Sequence, residues 1–156
     1  MEGIIKMEKE NCAVLDLDGV IFNSEYLLTE IYNLGLTGND IWEYFYKNCN
    51  SNKTHVLDTA WDLLQTLYDA NLKIIFSTAR NEKCREETNK KLWNVHGISY
   101  EKLYMRLDGD LRPSQEIKKE HLKEIMKNYN IVLFIDDDLS NCRMARDLGI
   151  LALGKV

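Results

Sequence analysis

Residues 12–22 read CAVLDLDGVIF. The stretch is apolar enough for a buried strand, yet it carries Asp16 and Asp18, one residue apart, followed at once by Gly19. An unpaired charge is costly to bury, and two like charges together cost more. Compensating groups are therefore expected elsewhere in the chain.

Downstream, apolar runs alternate with amphipathic stretches. Strands are predicted at 12–17, 72–78, 102–106, 131–136 and 150–154. Helices are predicted at 57–71, 81–97, 114–130 and 139–149, from apolar residues at helical spacing. Asn71 and Gly97 sit where helices end, and Ser114, after the only proline at 113, suits an N-cap. Strand–helix alternation implies an α/β fold, a Rossmann-like three-layer α/β/α arrangement around a central parallel sheet. Ligands of such sheets bind at the carboxyl ends of the strands. Those ends gather Asp16 and Asp18, Ser77 and Thr78, Arg106, and Asp136 with Asp137.

Residues 20–56 depart from the alternation. Segments 24–36 and 39–50 read as two short aromatic helices joined by Gly38, a small helical insertion after the first strand. It reads equally as packed structure or as a lid over the strand ends.

The 156 residues suit one domain, 1–156, with the insertion inside it. No apolar run approaches the length of a membrane span, and the N-terminal residues lack an apolar stretch long enough for a secretory signal. A cytoplasmic location without membrane contact is expected. The net charge of −5 argues against a general nucleic-acid coat but leaves room for a groove that grips one strand end. The four cysteines form no CxxC pair and, with three isolated histidines, no zinc pattern, so they read as reduced thiols.

The DLDG segment and FIDDD (134–138) would bring at least three carboxylates together at neighbouring strand ends. Like charges that close need a cation, and an oxygen-rich site with room for phosphate suits Mg²⁺. N-capping alone explains Asp138 before the last helix, but not Asp16, Asp18, Asp136 and Asp137 together.

LDLDGV, IIFSTAR, Lys118 and FIDDD, in that order, resemble the four motifs of the haloacid dehalogenase-type phosphatases. The segments STARNEKCREETNKKLWNVHGI and LYMRLDGDLRPSQEIKKE are similar to the phosphatase domain of phage polynucleotide kinases, which removes 3′-phosphates from nucleic-acid ends. A kinase half would need a G-x-x-x-x-G-K-[ST] loop, and this sequence has none.

The resemblance implies a phosphoric monoester hydrolase with Mg²⁺ as cofactor and a nucleic-acid 3′ end or a nucleotide as substrate. Asp16 would be the nucleophile and Asp18 the acid and base, also giving its backbone carbonyl to the metal. Asp136 and Asp137 would complete the metal site, one directly and one through water, in an order left open. Thr78 would hydrogen-bond a phosphoryl oxygen. Ser77 is its rival, because neighbours on a strand face opposite sides. Lys118 would neutralise the phosphoryl group, with Lys119 as the solvated alternative.

Arg80, Arg106 and Arg112 are candidates for gripping phosphate through their planar forks, set against surface ion pairing with the many glutamates. Arg85, Lys90 and Lys91 read as a solvated face. Unlike many members of that closer family, the chain carries an acid, Asp138, after the paired aspartates. Two further readings stand beside the first. One is the same chemistry on a sugar phosphate or free nucleotide; the other is a non-catalytic phosphate-binding module.

Overall fold

Strand β1 (Glu10–Leu15) sends alternate side chains into two separate cores. Ala13 and Leu15 face one; Cys12 and Val14 face the other. This is the period-2 geometry of a strand covered on both faces, which is why its sequence is apolar throughout. The computed structural model describes Gly3 and residues 7–154.

In chain order β1 is followed by β2 (Phe22–Asn23), α1 (Glu25–Asn33), α2 (Asn39–Asn48), β3 (His55–Val56) and α3 (Asp58–Asp69). Next come β4 (Lys73–Asn81), a 3₁₀ turn (Glu82–Cys84), α4 (Arg85–Lys90) and a π turn (Lys91–Val95). The chain then forms β5 (Lys102–Arg106), α5 (Ser114–Met126), β6 (Tyr129–Asp136), α6 (Leu139–Asp147) and β7 (Ala152–Gly154). The main sheet has the order β5-β4-β1-β6-β7, and all of its pairings are parallel. Helices α5 and α6 contribute to the core on the Val14 face, and α3 with the insertion helices to the core on the Leu15 face. This is the expected α/β/α architecture. Among the described residues no helix is long and apolar enough to cross a membrane.

The strand order reverses between β1 and β6, so the crevice of the fold opens at their carboxyl ends. β1 stops at Leu15, and Asp16 and Asp18 lie just beyond it. A tight turn follows, in which the N–H groups of Val20, Ile21 and Phe22 all reach the Leu17 carbonyl. Gly19 makes this exit possible. Its φ is +87°, and a Cβ there would lie 2.1 Å from Asp137 Oδ2. The antiparallel β2–β3 ribbon forms the base of the insertion, and α1 and α2 rise from it as the sequence predicts.

Three local expectations are corrected. The helix expected over 81–97 breaks into the 3₁₀ turn, α4 and the π turn. That re-aims Lys91 inward. It is buried, donates to the carbonyls of Ser51 and Thr54, and sits over the Phe22 ring instead of on a solvated face. Ser114 caps nothing: Pro113 takes the N-cap position, and the Ser114 hydroxyl accepts from Asn141. The helix expected to reach 130 ends at Met126, because Tyr129 and Asn130 pair with β1. The four cysteines are buried and unbridged.

His121 of α5 ties the β4 and β5 strands to that helix. Its Nδ1 lies 2.8 Å from Ser77 Oγ, and its Nε2 lies 3.2 Å from the Met105 carbonyl. The carbonyl can only accept, so Nε2 carries the proton and Ser77 donates to Nδ1. Burial pushes the His121 pKa down to about 4. An unfolded histidine titrates near ~6.5, so the unfolded chain binds the proton first as pH falls. The contribution is therefore intact above that value and is lost between about pH 6.5 and pH 4, by roughly 3 kcal/mol. NMR of the imidazole nitrogens should find His121 neutral at pH 5.5. Denaturant unfolding of His121→Gln should show a weaker loss of stability across this window than the native chain.

Candidate active site

Asp16 is held in the ladder by its own N–H, which donates to the Ile135 carbonyl at 2.9 Å. Its carboxylate projects on the α5 side of the sheet and meets Lys118 Nζ at 2.9 Å. The same ammonium lies 2.6 Å from Asp136 Oδ2. All three groups are buried. Asp136 also accepts from the Asp138 backbone N–H at 2.9 Å and from Asn141 Nδ2 at 3.2 Å. One oxygen each of Asp16, Asp136 and Asp137 falls within 4.8 Å of the others. Asp137 is exposed, so the cluster opens to solvent on one side.

Burial pushes the Asp16 carboxyl well above its ordinary range, and Asp136 and Asp18 add to this; Lys118 opposes the shift without cancelling it. Burial likewise raises Asp137. Lys118 is itself held above its usual value, because Asp16 and Asp136 outweigh its own desolvation. The cluster therefore carries more negative charge than its one lysine offsets. A divalent cation fits such a set: oxygen donors only, few carboxylates, and an open side for water and phosphate.

Asp18 lies in a different environment. Arg80 grips it with two bonds, Nε to Oδ2 and Nη2 to Oδ1, each 2.7 Å. The Ser24 hydroxyl donates to Oδ1 at 2.7 Å. Burial works to raise this carboxyl, but Arg80 and Ser24 outweigh it, and the net shift is downward. The two neighbouring aspartates are thus pushed in opposite directions, Asp16 toward its protonated form and Asp18 toward its ionised form.

Arg80 is buried, and none of its five N–H donors is left over for a ligand. Beyond the two on Asp18, Nη1 reaches Asn50 Oδ1 at 2.7 Å and Thr88 Oγ1 at 3.4 Å, and Nη2 reaches the Cys49 carbonyl at 3.3 Å. The expectation that Arg80 grips substrate is corrected accordingly: it is a positioning residue for Asp18.

Ser77 and Thr78 divide as strand alternation requires. Ser77 is fully buried and its hydroxyl is bonded to His121, away from the insertion. Thr78 accepts from the Arg80 N–H at 3.1 Å, which leaves its own proton free to donate. Arg106 spends its fork on backbone carbonyls, those of Ala79 in β4 at 3.1 Å and Asp110 at 2.9 Å among them. Arg112 pairs with Asp110 and Glu120 on an exposed surface, the ion-pairing alternative weighed against phosphate grip.

Sequence reasoning passed over Ser24, Asn50, Thr88 and Asn141, which orient Asp18, Arg80 and Asp136. Each is a small polar residue without a motif of its own. Asn141 carried one usable signal, a position in the first turn of the helix that follows the paired aspartates.

Removing the arginine would leave Asp18 a largely buried, unpaired charge. Arg80→Met should destabilise the chain by about 2–4 kcal/mol, with Asp18 partly rescued by solvent. Asp18→Asn combined with Arg80→Met should recover part of that loss. Denaturant unfolding of the single and double variants reads the coupling; strictly additive losses would show that the pair is not coupled.

Residues 10–154 match the family model described as the polynucleotide kinase PNKP phosphatase domain. Among solved structures, a chain of the Pnkp1/Rnl/Hen1 RNA repair complex superposes with a TM-score of 0.73 at 23% identity. The match covers 94% of this chain and 42% of that one. A class C acid phosphatase from Bacillus anthracis gives a TM-score of 0.66 at 21% identity, over 87% of this chain and 55% of that one. A haloacid dehalogenase-like hydrolase from Streptococcus pneumoniae gives 0.61 at 15% identity, over 94% and 83%. The chain thus spans less than half the length of the RNA-repair relative it matches. No curated protein matches it significantly. The structural likenesses establish the fold, and the family model establishes the kind of enzyme: the chain belongs to the polynucleotide kinase phosphatase-domain family of haloacid dehalogenase-type phosphatases.

Proposed function

We propose that this phosphatase is Mg²⁺-dependent, works through a phosphorylated Asp16, and acts on 3′-phosphates of nucleic-acid ends or nucleotides. The observation that carries the chemistry is the buried Asp16–Lys118–Asp136 group beside Asp137. The family description carries the substrate class. Asp16, Asp136 and Asp137, with the Asp18 backbone carbonyl, would hold Mg²⁺, which when bound keeps Asp16 ionised and offsets charge on the phosphoryl oxygens.

The chain's own groups divide the remaining work. Lys118 orients Asp16 and meets phosphoryl charge. Thr78 donates its hydroxyl proton to a phosphoryl oxygen. An Asp16 oxygen attacks phosphorus, and the bond to the leaving alcohol breaks as Asp18 protonates that oxygen. Water then attacks phosphorus, gives its proton to Asp18, and releases Asp16 with inorganic phosphate. Arg80 and Ser24 hold Asp18 down in the free site. A bound phosphate dianion beside it would raise its proton affinity and arm it as an acid.

A small phosphorylated metabolite is the second reading. The net charge of −5, and the exposed Asp137 and Asp138 at the mouth, favour it over a long phosphate backbone.

Two measurements test this. Hydrolysis of an aryl phosphate should require Mg²⁺ and should fall by on the order of 10³-fold or more in Asp16→Asn. Metal-independent turnover, or a variant as active as the parent, would remove Asp16 from its role. A panel of a 3′-phosphorylated oligonucleotide, 3′-mononucleotides and sugar phosphates, compared by kcat/KM, should favour the 3′-phosphates. A preference for sugar phosphates would replace the nucleic-acid reading with the metabolite one.

A further inference from the structure

Helix α2 carries a surface that the chemistry above leaves unused. Phe45 is buried and fixes the helix on the core, while Trp42, one turn earlier, is 57% exposed. Tyr46 lies between the two environments. Its ring stacks on Trp42 with centroids 6.2 Å apart and planes 26° from parallel, and it meets Phe45 edge-on at 5.8 Å. The Tyr46 hydroxyl lies near enough to the Arg106 guanidinium to feel its charge, and Arg106 Nε reaches the Ala79 carbonyl at 3.1 Å. Ala79 belongs to β4, and Arg106 ends β5. Tyr46 therefore lies beside the carboxyl ends of these strands, the end of the sheet at which Asp16 and Asp18 sit.

Sheet geometry sets the scale. β5 is two strand positions from β1, a lateral offset of about 10 Å. The far end of α2 is held at the acidic site, where Cys49 and Asn50 bond to Arg80. Trp42 precedes Asn50 by about two helical turns, roughly 12 Å. The helix that carries Trp42 thus runs from the carboxyl ends of the strands to the Arg80–Asp18 pair, on the side of the molecule where the acidic site opens. Charge narrows the choice of ring. Asp40 and Glu43, both exposed, flank Trp42 and repel a phosphate backbone while tolerating a neutral base.

We infer that the Trp42–Tyr46 pair is a stacking platform for the base of the nucleotide whose phosphate is cleaved, so that the insertion selects nucleotides over baseless phosphate esters. Stacking on an aromatic face is tolerant of base identity, so purines and pyrimidines should both be accepted. The inference deepens the 3′-phosphatase reading and rests on it for the orientation of the nucleotide.

Two arms test it. In the first, Trp42→Ala and Trp42→Phe are compared with the parent on adenosine 3′-phosphate and on glycerol 2-phosphate. Trp42→Ala should lower kcat/KM for the nucleotide about tenfold or more, chiefly through KM, and leave glycerol 2-phosphate within about twofold; Trp42→Phe should retain most of the parent's preference. Equal losses on both substrates, or no loss on the nucleotide, would overturn the platform. In the second arm, a Trp61→Phe/Trp93→Phe chain reports Trp42 fluorescence alone. Adenosine should quench it saturably, and Trp42→Phe should abolish the signal. No quenching overturns the platform whatever the hydrolysis assays show. Quenching without 3′-phosphatase activity overturns the substrate reading and leaves the platform standing.

Discussion

One ammonium group set between two buried carboxylates is the constraint on which this structure depends. Lys118 bridges Asp16 and Asp136 from the neighbouring helix, at 2.9 and 2.6 Å. Those two carboxylates sit at the reversal point of the sheet, where neighbouring strand ends bring them together whatever their charge. Lys118 makes the arrangement tolerable without making it neutral, since Asp16 remains pushed toward its protonated form. A site of this kind is unstable as an isolated structure and well matched to a visiting cation and a phosphate dianion. Under the proposed function, the same imbalance that costs folding energy would supply the affinity for a cation.

The second pair, Asp18 and Arg80, connects that site to the rest of the chain. Arg80 links four parts: Asp18 after β1, Cys49 and Asn50 at the end of α2, Thr88 in α4, and its own strand β4. The insertion is therefore attached to Asp18 through this guanidinium and through the Ser24 hydroxyl. Lys91 adds a second tether, from the π turn to the carbonyls of Ser51 and Thr54. Placement of α2, with its aromatic face, and placement of Asp18 are consequences of the same contacts.

The sheet, its helices and the acidic cluster were legible in the sequence because each rests on a local pattern. Period-2 burial, helical spacing, and carboxylates at strand ends survive translation into three dimensions with shifts of a few residues. The roles of the arginines were not legible. Charge and nearness to a strand end describe Arg80, Arg106 and Arg112 alike, whereas their partners are set by tertiary contacts with Asp18, with backbone carbonyls and with Glu120. The break in the 81–97 helix was equally hidden. Burial of Lys91 depends on where residues 51–54 come to lie, which no pattern within the helix encodes. Ser77 and Thr78 were separable only as rivals until the neighbouring helix placed His121 against one of them.

Thermal unfolding with and without Mg²⁺ tests most directly whether the buried acidic group is built around a cation. At a Mg²⁺ concentration near 100 times its dissociation constant, binding should stabilise the native chain by about 2.7 kcal/mol. For a chain of this size that raises Tm by several degrees, on the order of 5–10 °C. Asp136→Asn should lose most of this rise. A Tm in the native chain that is indifferent to Mg²⁺, or an undiminished rise in Asp136→Asn, would contradict the account.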